Sequence, residues 1–141
     1  TVGGKNPGSL VKTGLTGSNP YVLCQGSYLD AIPKGFLDKM NPPGTGFDVP
    51  EYSSDLCANP SGSVLYFTGG GKIWTANQFA VNPFITQAAY GLACHPTTGD
   101  LYCADAKDFT SPGEVVIYNS GGIKTGSFPV GIAPGEIVIV E

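Results

Sequence analysis

Ser54-Asp55-Leu56-Cys57-Ala58-Asn59-Pro60-Ser61-Gly62-Ser63-Val64-Leu65-Tyr66-Phe67 and Gly91-Leu92-Ala93-Cys94-His95-Pro96-Thr97-Thr98-Gly99-Asp100-Leu101-Tyr102-Cys103 are two copies of one pattern. Each reads as a short apolar strand, a polar turn opened by proline, and a second apolar strand. Leu56 and Leu92 stand 36 residues apart, as do Leu65 and Leu101. A looser copy runs from Gly8-Ser9-Leu10-Val11 into Tyr21-Val22-Leu23-Cys24, and a fourth begins at Pro134-Gly135 and runs into Glu136-Ile137-Val138-Ile139-Val140. Side chains on a strand switch face at every residue. Alternating or continuous apolar runs of this length, set between Gly, Pro, Asn and Ser, therefore predict strands.

The later strands repeat as well. Lys72-Ile73-Trp74-Thr75 matches Glu114-Val115-Val116-Ile117-Tyr118 and, less closely, Lys34-Gly35-Phe36-Leu37-Asp38. Phe47-Asp48-Val49, Phe84-Ile85 and Phe128-Pro129-Val130 close the three units. A mean of about 43 residues per unit, four short strands in each, is the period of a propeller blade. The expected fold is all-β: a β-propeller of three four-stranded antiparallel blades, near residues 4–49, 50–86 and 87–131, with 132–141 as the inner strand of a further blade. Inner strands are expected near Ser9–Lys12, Asp55–Asn59 and Gly91–His95. The repeated order of anchors argues against a sandwich of unrelated hairpins. Ser27 to Met40 is the only helix-like stretch, and Pro33 and Gly35 mark it as an insertion between strands. Ser61-Gly62 and Thr98-Gly99 read as short hairpin turns.

Closed propellers have about four to eight blades, so three do not close a ring. The expectation is the C-terminal part of a larger ring. The remaining blades would lie in a missing N-terminal part or on a second polypeptide, unless two copies pair into six. The bare apolar faces of such a piece drive association. Ile137 and Ile139, or Val138 and Val140, are therefore expected to be buried against protein outside residues 1–135.

Composition narrows the function classes. Gly and Pro number 21 and 12 among 141 residues, too many breaks for long helices. No apolar run is long enough for a membrane-spanning helix. The chain carries seven Lys, no Arg and eleven acidic residues, a net charge of −4. Nucleic-acid affinity needs clustered cations, and phosphate recognition favours the bidentate Arg fork, so DNA and RNA are poor partners. Low charge with abundant Gly, Asn, Ser, Thr and Tyr suggests an exported β-protein.

Asn6-Pro7-Gly8-Ser9-Leu10-Val11, Gly99-Asp100-Leu101-Tyr102, Ala104-Asp105-Ala106-Lys107-Asp108-Phe109 and Val130-Gly131-Ile132-Ala133-Pro134-Gly135 resemble YncE-like β-propellers, in particular the exported surface-layer-type lipoproteins. The resemblance covers nearly the whole chain and implies the last three blades of a seven-bladed ring. It implies a lipid anchor at a distant N-terminus, on the outer surface of a Gram-negative cell. The BtuG-like branch of these lipoproteins captures cobalamin and passes it to a TonB-dependent transporter. By resemblance, the expected function is non-catalytic capture of a small nutrient, cobalamin among the candidates, or of a glycan. The alternative is an interaction scaffold docked on a transporter complex. No residue here identifies a corrinoid pocket, and no cofactor or metal is expected.

The residues that could carry chemistry are few. His95 is the only histidine, has no Gly-x-Ser-x-Gly elbow beside it, and aligns with the turn residue Asn59. Cys24, Cys57, Cys94 and Cys103 form no C-x-x-C pair. They read as free, buried thiols. The competing reading bridges Cys94 to Cys103, which face each other if Thr97 pairs with Asp100. Paired carboxylates for acid/base work would have to come from the inner strands. Those offer only Asp55 and Glu136, in separate blades, so an enzyme ranks last. Asp105, Lys107 and Asp108 form the most polar loop, either solvated or facing a ligand. If each unit's first strand is innermost, two loop sets open on one face. They bring Tyr28, Tyr52, Tyr90 and Phe109 together as binding anchors or as caps on blade edges. The candidate ligand-binding set is Tyr28, Tyr52, Tyr90, Asp105, Lys107 and Phe109. Trp74 aligns with Val116 and is expected in the core between blades.

Overall fold

The structure, a computed structural model, describes residues 7–12, 20–27, 29, 31, 34–40, 45–77 and 79–140. Among these there are twelve strands and no helix. The first sheet holds β1 (Pro7–Lys12), β2 (Pro20–Cys24), β3 (Gly35–Lys39) and β4 (Phe47–Val49). The second holds β5 (Ser54–Ala58), β6 (Leu65–Gly69), β7 (Lys72–Ala76) and β8 (Val81–Ile85). The third holds β9 (Gly91–Cys94), β10 (Leu101–Asp105), β11 (Pro112–Tyr118) and β12 (Lys124–Ile132). Each sheet is an antiparallel meander whose spatial order is its chain order. β1 lies against β5, and β5 against β9, so the first strands of consecutive sheets adjoin.

The pleat sorts the second sheet's side chains into two apolar layers. Leu65, Phe67 and Ala76 join Tyr21, Leu23, Leu37 and Val49 of the first sheet. Tyr66, Ile73 and Ile85 face the other way and join Leu92, Leu101, Cys103, Val116 and Tyr118 of the third. β6 is buried at every residue, which explains its unbroken apolar sequence. Full burial of a side chain such as Phe67 contributes roughly 1.5–3 kcal/mol. Trp74 is half-buried against the layer between the first and second sheets, and its indole N–H donates to the Gly69 carbonyl at 2.9 Å.

Four hairpins share one closing device at the end of the sheets where β5 and β9 finish. The first loop residue uses its side chain to satisfy the loop's own backbone. Asn59 Oδ1 accepts the N–H groups of Ser63 and Val64 at 2.9 and 3.0 Å. Asn77 Oδ1 accepts those of Phe79 and Ala80 at 2.9 and 3.0 Å. Asn119 Oδ1 accepts those of Gly121 and Ile123, both at 3.0 Å. In the β9–β10 loop His95 takes the same part, with Nδ1 accepting from Thr97 and Thr98 at 3.2 and 3.3 Å. The alignment of His95 with Asn59 thus reflects a shared structural duty.

That device corrects the expected turns. The loop after β9 closes through His95 N–H to Asp100 O at 2.8 Å and Gly99 N–H to His95 O at 3.0 Å, so it is longer than a Thr98-Gly99 turn. The loop after β5 is likewise longer than Ser61-Gly62, closed by Asn59 N–H to Val64 O at 2.9 Å. Register shifts accordingly: Cys94 pairs with Leu101, and Cys103 with Leu92. The two thiols are offset along the hairpin, and none of the four cysteines is in a disulfide. Two further expectations change. Within Ser27–Met40 the described residues 35–39 form β3, because Phe36 and Leu37 pair into the first sheet. Residues 136–140, expected as an inner strand, form no ladder among the described residues. They still alternate: Ile137 and Ile139 are half-buried, while Val138 and Val140 are 74% and 85% exposed.

Candidate functional site

At the opposite end of the sheets, four segments meet: the β4–β5 and β8–β9 links and the β6–β7 and β10–β11 loops. The β6–β7 turn is only Gly70-Gly71, with φ of 56° and 73°. Glycine adopts that left-handed backbone without steric cost, so this hairpin stays low. The β4–β5 link packs closely on its base. Ser53 is buried, its hydroxyl donates to Pro50 O at 2.7 Å, and a Cβ on Gly69 would come within 2.3 Å of that hydroxyl oxygen. The β10–β11 loop is longer, and it and the short glycine turn line adjoining parts of one groove.

The groove has two adjoining lobes that share Ala88, Ala89 and Tyr90. The larger, about 270 Å³, is lined by Tyr52, Ser54, Thr68, the Gly69–Gly71 turn and Lys72. The smaller, about 130 Å³, is lined by Asp105, Ala106, Lys107 and Phe109. Tyr52, Tyr90 and Phe109 are 60%, 55% and 52% exposed. Tyr90 and Phe109 meet edge to face with ring centroids 5.1 Å apart. Tyr90 is held at its base by its N–H to Ala104 O at 2.7 Å, and Gly135 lies beside its ring.

Backbone strain gathers at the same place. Five described non-glycine residues have left-handed φ, and three are Tyr52 (57°), Lys107 (49°) and Phe109 (62°). A side chain in that region costs roughly 1–2 kcal/mol. Strain of this kind persists only where surrounding contacts impose it, and it clusters at functional sites.

The polar loop supplies those contacts. Asp105 accepts the Lys107 N–H at 2.8 Å through one carboxylate oxygen and the Gln87 amide at 3.1 Å through the other. Gln87 in turn accepts the Tyr118 hydroxyl at 3.2 Å. Asp108 accepts the N–H groups of Thr110 and Ser111 at 3.0 and 2.7 Å and the Ser111 hydroxyl at 3.0 Å. These bonds to the ionised form, Ser111's backbone first, hold the Asp108 carboxyl down at about 2. Both carboxylates are thus engaged in shaping the loop, while the Lys107 and Phe109 side chains project outward.

Of the six candidate residues, the groove brings together Tyr52, Tyr90, Asp105, Lys107 and Phe109. Tyr28 lies outside the described residues. Sequence reasoning missed Ser54, Thr68 and Lys72. The hydroxyls of Ser54 and Thr68 are 3.0 Å apart at the floor of the larger lobe. Lys72 had a readable signal, since it directly follows the Gly-Gly turn at the lip.

A second polar feature runs against expectation. Asp55 and Glu136, assigned to separate blades, come within electrostatic reach. The chain turns back at Ala133 (φ 53°), setting Pro134 on Gly113 and Gly135 on Gly91, and so carries Glu136 toward β5. Asp55 sits at a bulge in β5 with φ 45°, and its Oδ2 is buried without a hydrogen-bond partner. Burial first, and the Glu136 charge second, push its carboxyl pKa up. Neither residue lines either lobe. Among the described residues, no three His, Cys, Asp or Glu side chains form a group able to hold a metal ion. No family model matches the chain, and no curated protein is significantly similar to it.

Proposed function

We propose that this chain is a stretch of β-propeller acting as a non-catalytic binding module, and that the groove captures a small polar ligand, a glycan before a corrinoid. The propeller reading rests on the three stacked meanders and on the side-by-side run of β1, β5 and β9. The binding reading rests on one observation: three exposed aromatic side chains held in or beside left-handed backbone around a single groove. The exposed rings and the strain both oppose folding, and ligand contact is what such an arrangement offers in return.

Size and chemistry favour a sugar. The larger lobe, about 270 Å³, falls just below the ~300–1,000 Å³ usual for drug-sized ligands, which is small for a corrinoid macrocycle. Its walls offer aromatic faces for stacking, its floor offers hydroxyls and its lip an ammonium for hydrogen bonds. On this reading the module sits on the surface of a Gram-negative cell and passes its cargo to a TonB-dependent transporter. Isothermal titration of the full chain with a panel of neutral and acidic oligosaccharides, with cobalamin alongside, tests it. Saturable binding of an oligosaccharide is expected. Saturation by cobalamin alone would move the reading to the corrinoid branch, and no binding by any member would end it.

A scaffold function is the second reading. Val138 and Val140, at 74% and 85% exposed, favour it because they leave two apolar side chains in solvent beside the half-buried Ile137 and Ile139. Co-purification of a transporter component that is lost in Val138→Asp, with no small ligand bound, would select it.

A further inference from the structure

Three thiols gather in the layer between the second and third sheets, and nothing in the binding reading uses them. Cys57 lies on β5 opposite Tyr66, and Cys94 lies on β9 opposite Leu101. Directly opposed residues of an antiparallel pair project from the same face. Tyr66 and Leu101 belong to one apolar layer, and Cys57 and Cys94 both lie against it. Cys57 therefore points toward the third sheet and Cys94 toward the second, from strands that adjoin. The Cys94 and Cys103 thiols both lie within electrostatic reach of the Cys57 thiol. Cys103 joins the same layer from β10, opposite Leu92.

We propose that Cys57 and Cys94 form a disulfide between the sheets when the protein meets a small-molecule disulfide oxidant such as oxidised glutathione. Cys57 and Cys94 are both partly exposed, and the order of events follows from how strongly burial opposes each thiolate. Cys94 is half-buried, with its thiol pushed up to about 11, chiefly by burial. Cys103 is fully buried and stands at about 12, and Cys57 is pushed higher still. Cys94 thus reaches its thiolate most readily and attacks the oxidant. That step forms a Cys94–glutathione mixed disulfide and releases one glutathione thiolate. The Cys57 thiol gives its proton to solvent and attacks the Cys94 sulfur. The Cys57–Cys94 bond forms, and a second glutathione leaves. In balance, one glutathione disulfide is reduced to two thiols, and two protein thiols are oxidised to one disulfide. The bond would tie β5 to β9 at the end remote from the groove and close a loop around the whole second sheet.

The test uses the full chain with oxidised glutathione at mildly alkaline pH. Free thiols are then blocked, and peptides are mapped by mass spectrometry without reduction. A Cys57–Cys94 linked peptide is expected, with the thermal midpoint raised by roughly 10 °C, as closing a loop of this size predicts. Cys57→Ser should lose the cross-link and retain one glutathione on Cys94, whereas Cys103→Ala should keep the cross-link. A Cys94–Cys103 link, a mixed disulfide that persists on Cys94 in the unmutated chain, or thiols that stay reduced in the folded chain would each overturn the proposal. The map of the unmutated chain decides the matter even if a variant folds poorly.

Discussion

The two ends of these sheets solve the same problem in opposite ways. Where β5 and β9 finish, each hairpin closes on itself through Asn59, Asn77, His95 or Asn119, which satisfy loop N–H groups with their own side chains. Phe79 and Ile123 are exposed there, one to a loop. Where β5 and β9 begin, the loops hold Tyr52, Lys107 and Phe109 in left-handed backbone, and exposed rings from different sheets converge on one groove. The first end is organised by local hydrogen bonding. The second also caps its loop N–H groups locally, through Asp105 and Asp108, but adds bonds between loops, from Gln87 to Asp105 and from the Tyr52 N–H to Gln25 O, around residues in left-handed backbone. On the proposed reading, the end free of backbone strain is the structural one and the strained end is the binding face.

The contrast breaks most visibly if substitutions at the two ends have the same consequence. Tyr90→Ala should weaken ligand binding by about 30-fold, the effect of losing a central aromatic anchor, and change the unfolding free energy little. Asn119→Ala should do the reverse. Unfolding in urea should show a loss of roughly 1 kcal/mol from the two lost turn hydrogen bonds, with ligand affinity unchanged. Tyr52→Gly sharpens the strain argument. Glycine accepts φ of 57° freely, so the variant should gain up to about 1 kcal/mol in stability while it binds less tightly. A loss of stability there would show that the left-handed conformation is not costly.

A smaller, pH-dependent effect belongs to Asp55. Its folded pKa is raised, so the native state holds more protons than the unfolded chain in the range above the ordinary carboxylate value. Stability should therefore fall as pH rises from about 4 through that raised value. Asp55→Asn removes the charge, and should be more stable than the parent at pH 7, with the gap closing as pH falls toward 4. A gap independent of pH would mean that Asp55 is not strained by its charge. Asp108 runs the opposite way: its lowered pKa stabilises above the ordinary carboxylate range and is lost as pH falls toward about 2.

Much of the fold could be read from spacing alone. The 36-residue offset matches β5 to β9, β6 to β10 and His95 to Asn59 as equivalent positions of two units. What spacing missed was set by side-chain capping. Because His95 Nδ1 gathers two N–H groups, its loop is longer than a two-residue turn, and the pairing of Cys94 moves to Leu101. The approach of Glu136 to Asp55 was hidden for another reason. It depends on a turn at Ala133, where a non-glycine residue takes a left-handed φ that sequence gives no cause to expect. The same holds for Tyr52 and Phe109: the order of strands and loops suggested where the rings lie, but not the strain that presents them.

The account stands on the groove being a binding face, and a paired titration tests that most directly. The parent chain and Tyr90→Ala, each verified as folded by its unfolding midpoint, are titrated with the tightest-binding oligosaccharide. The account predicts saturable binding to the parent at one site per chain and a loss of about 30-fold in the variant. Equal affinity in both would place the ligand elsewhere and contradict it.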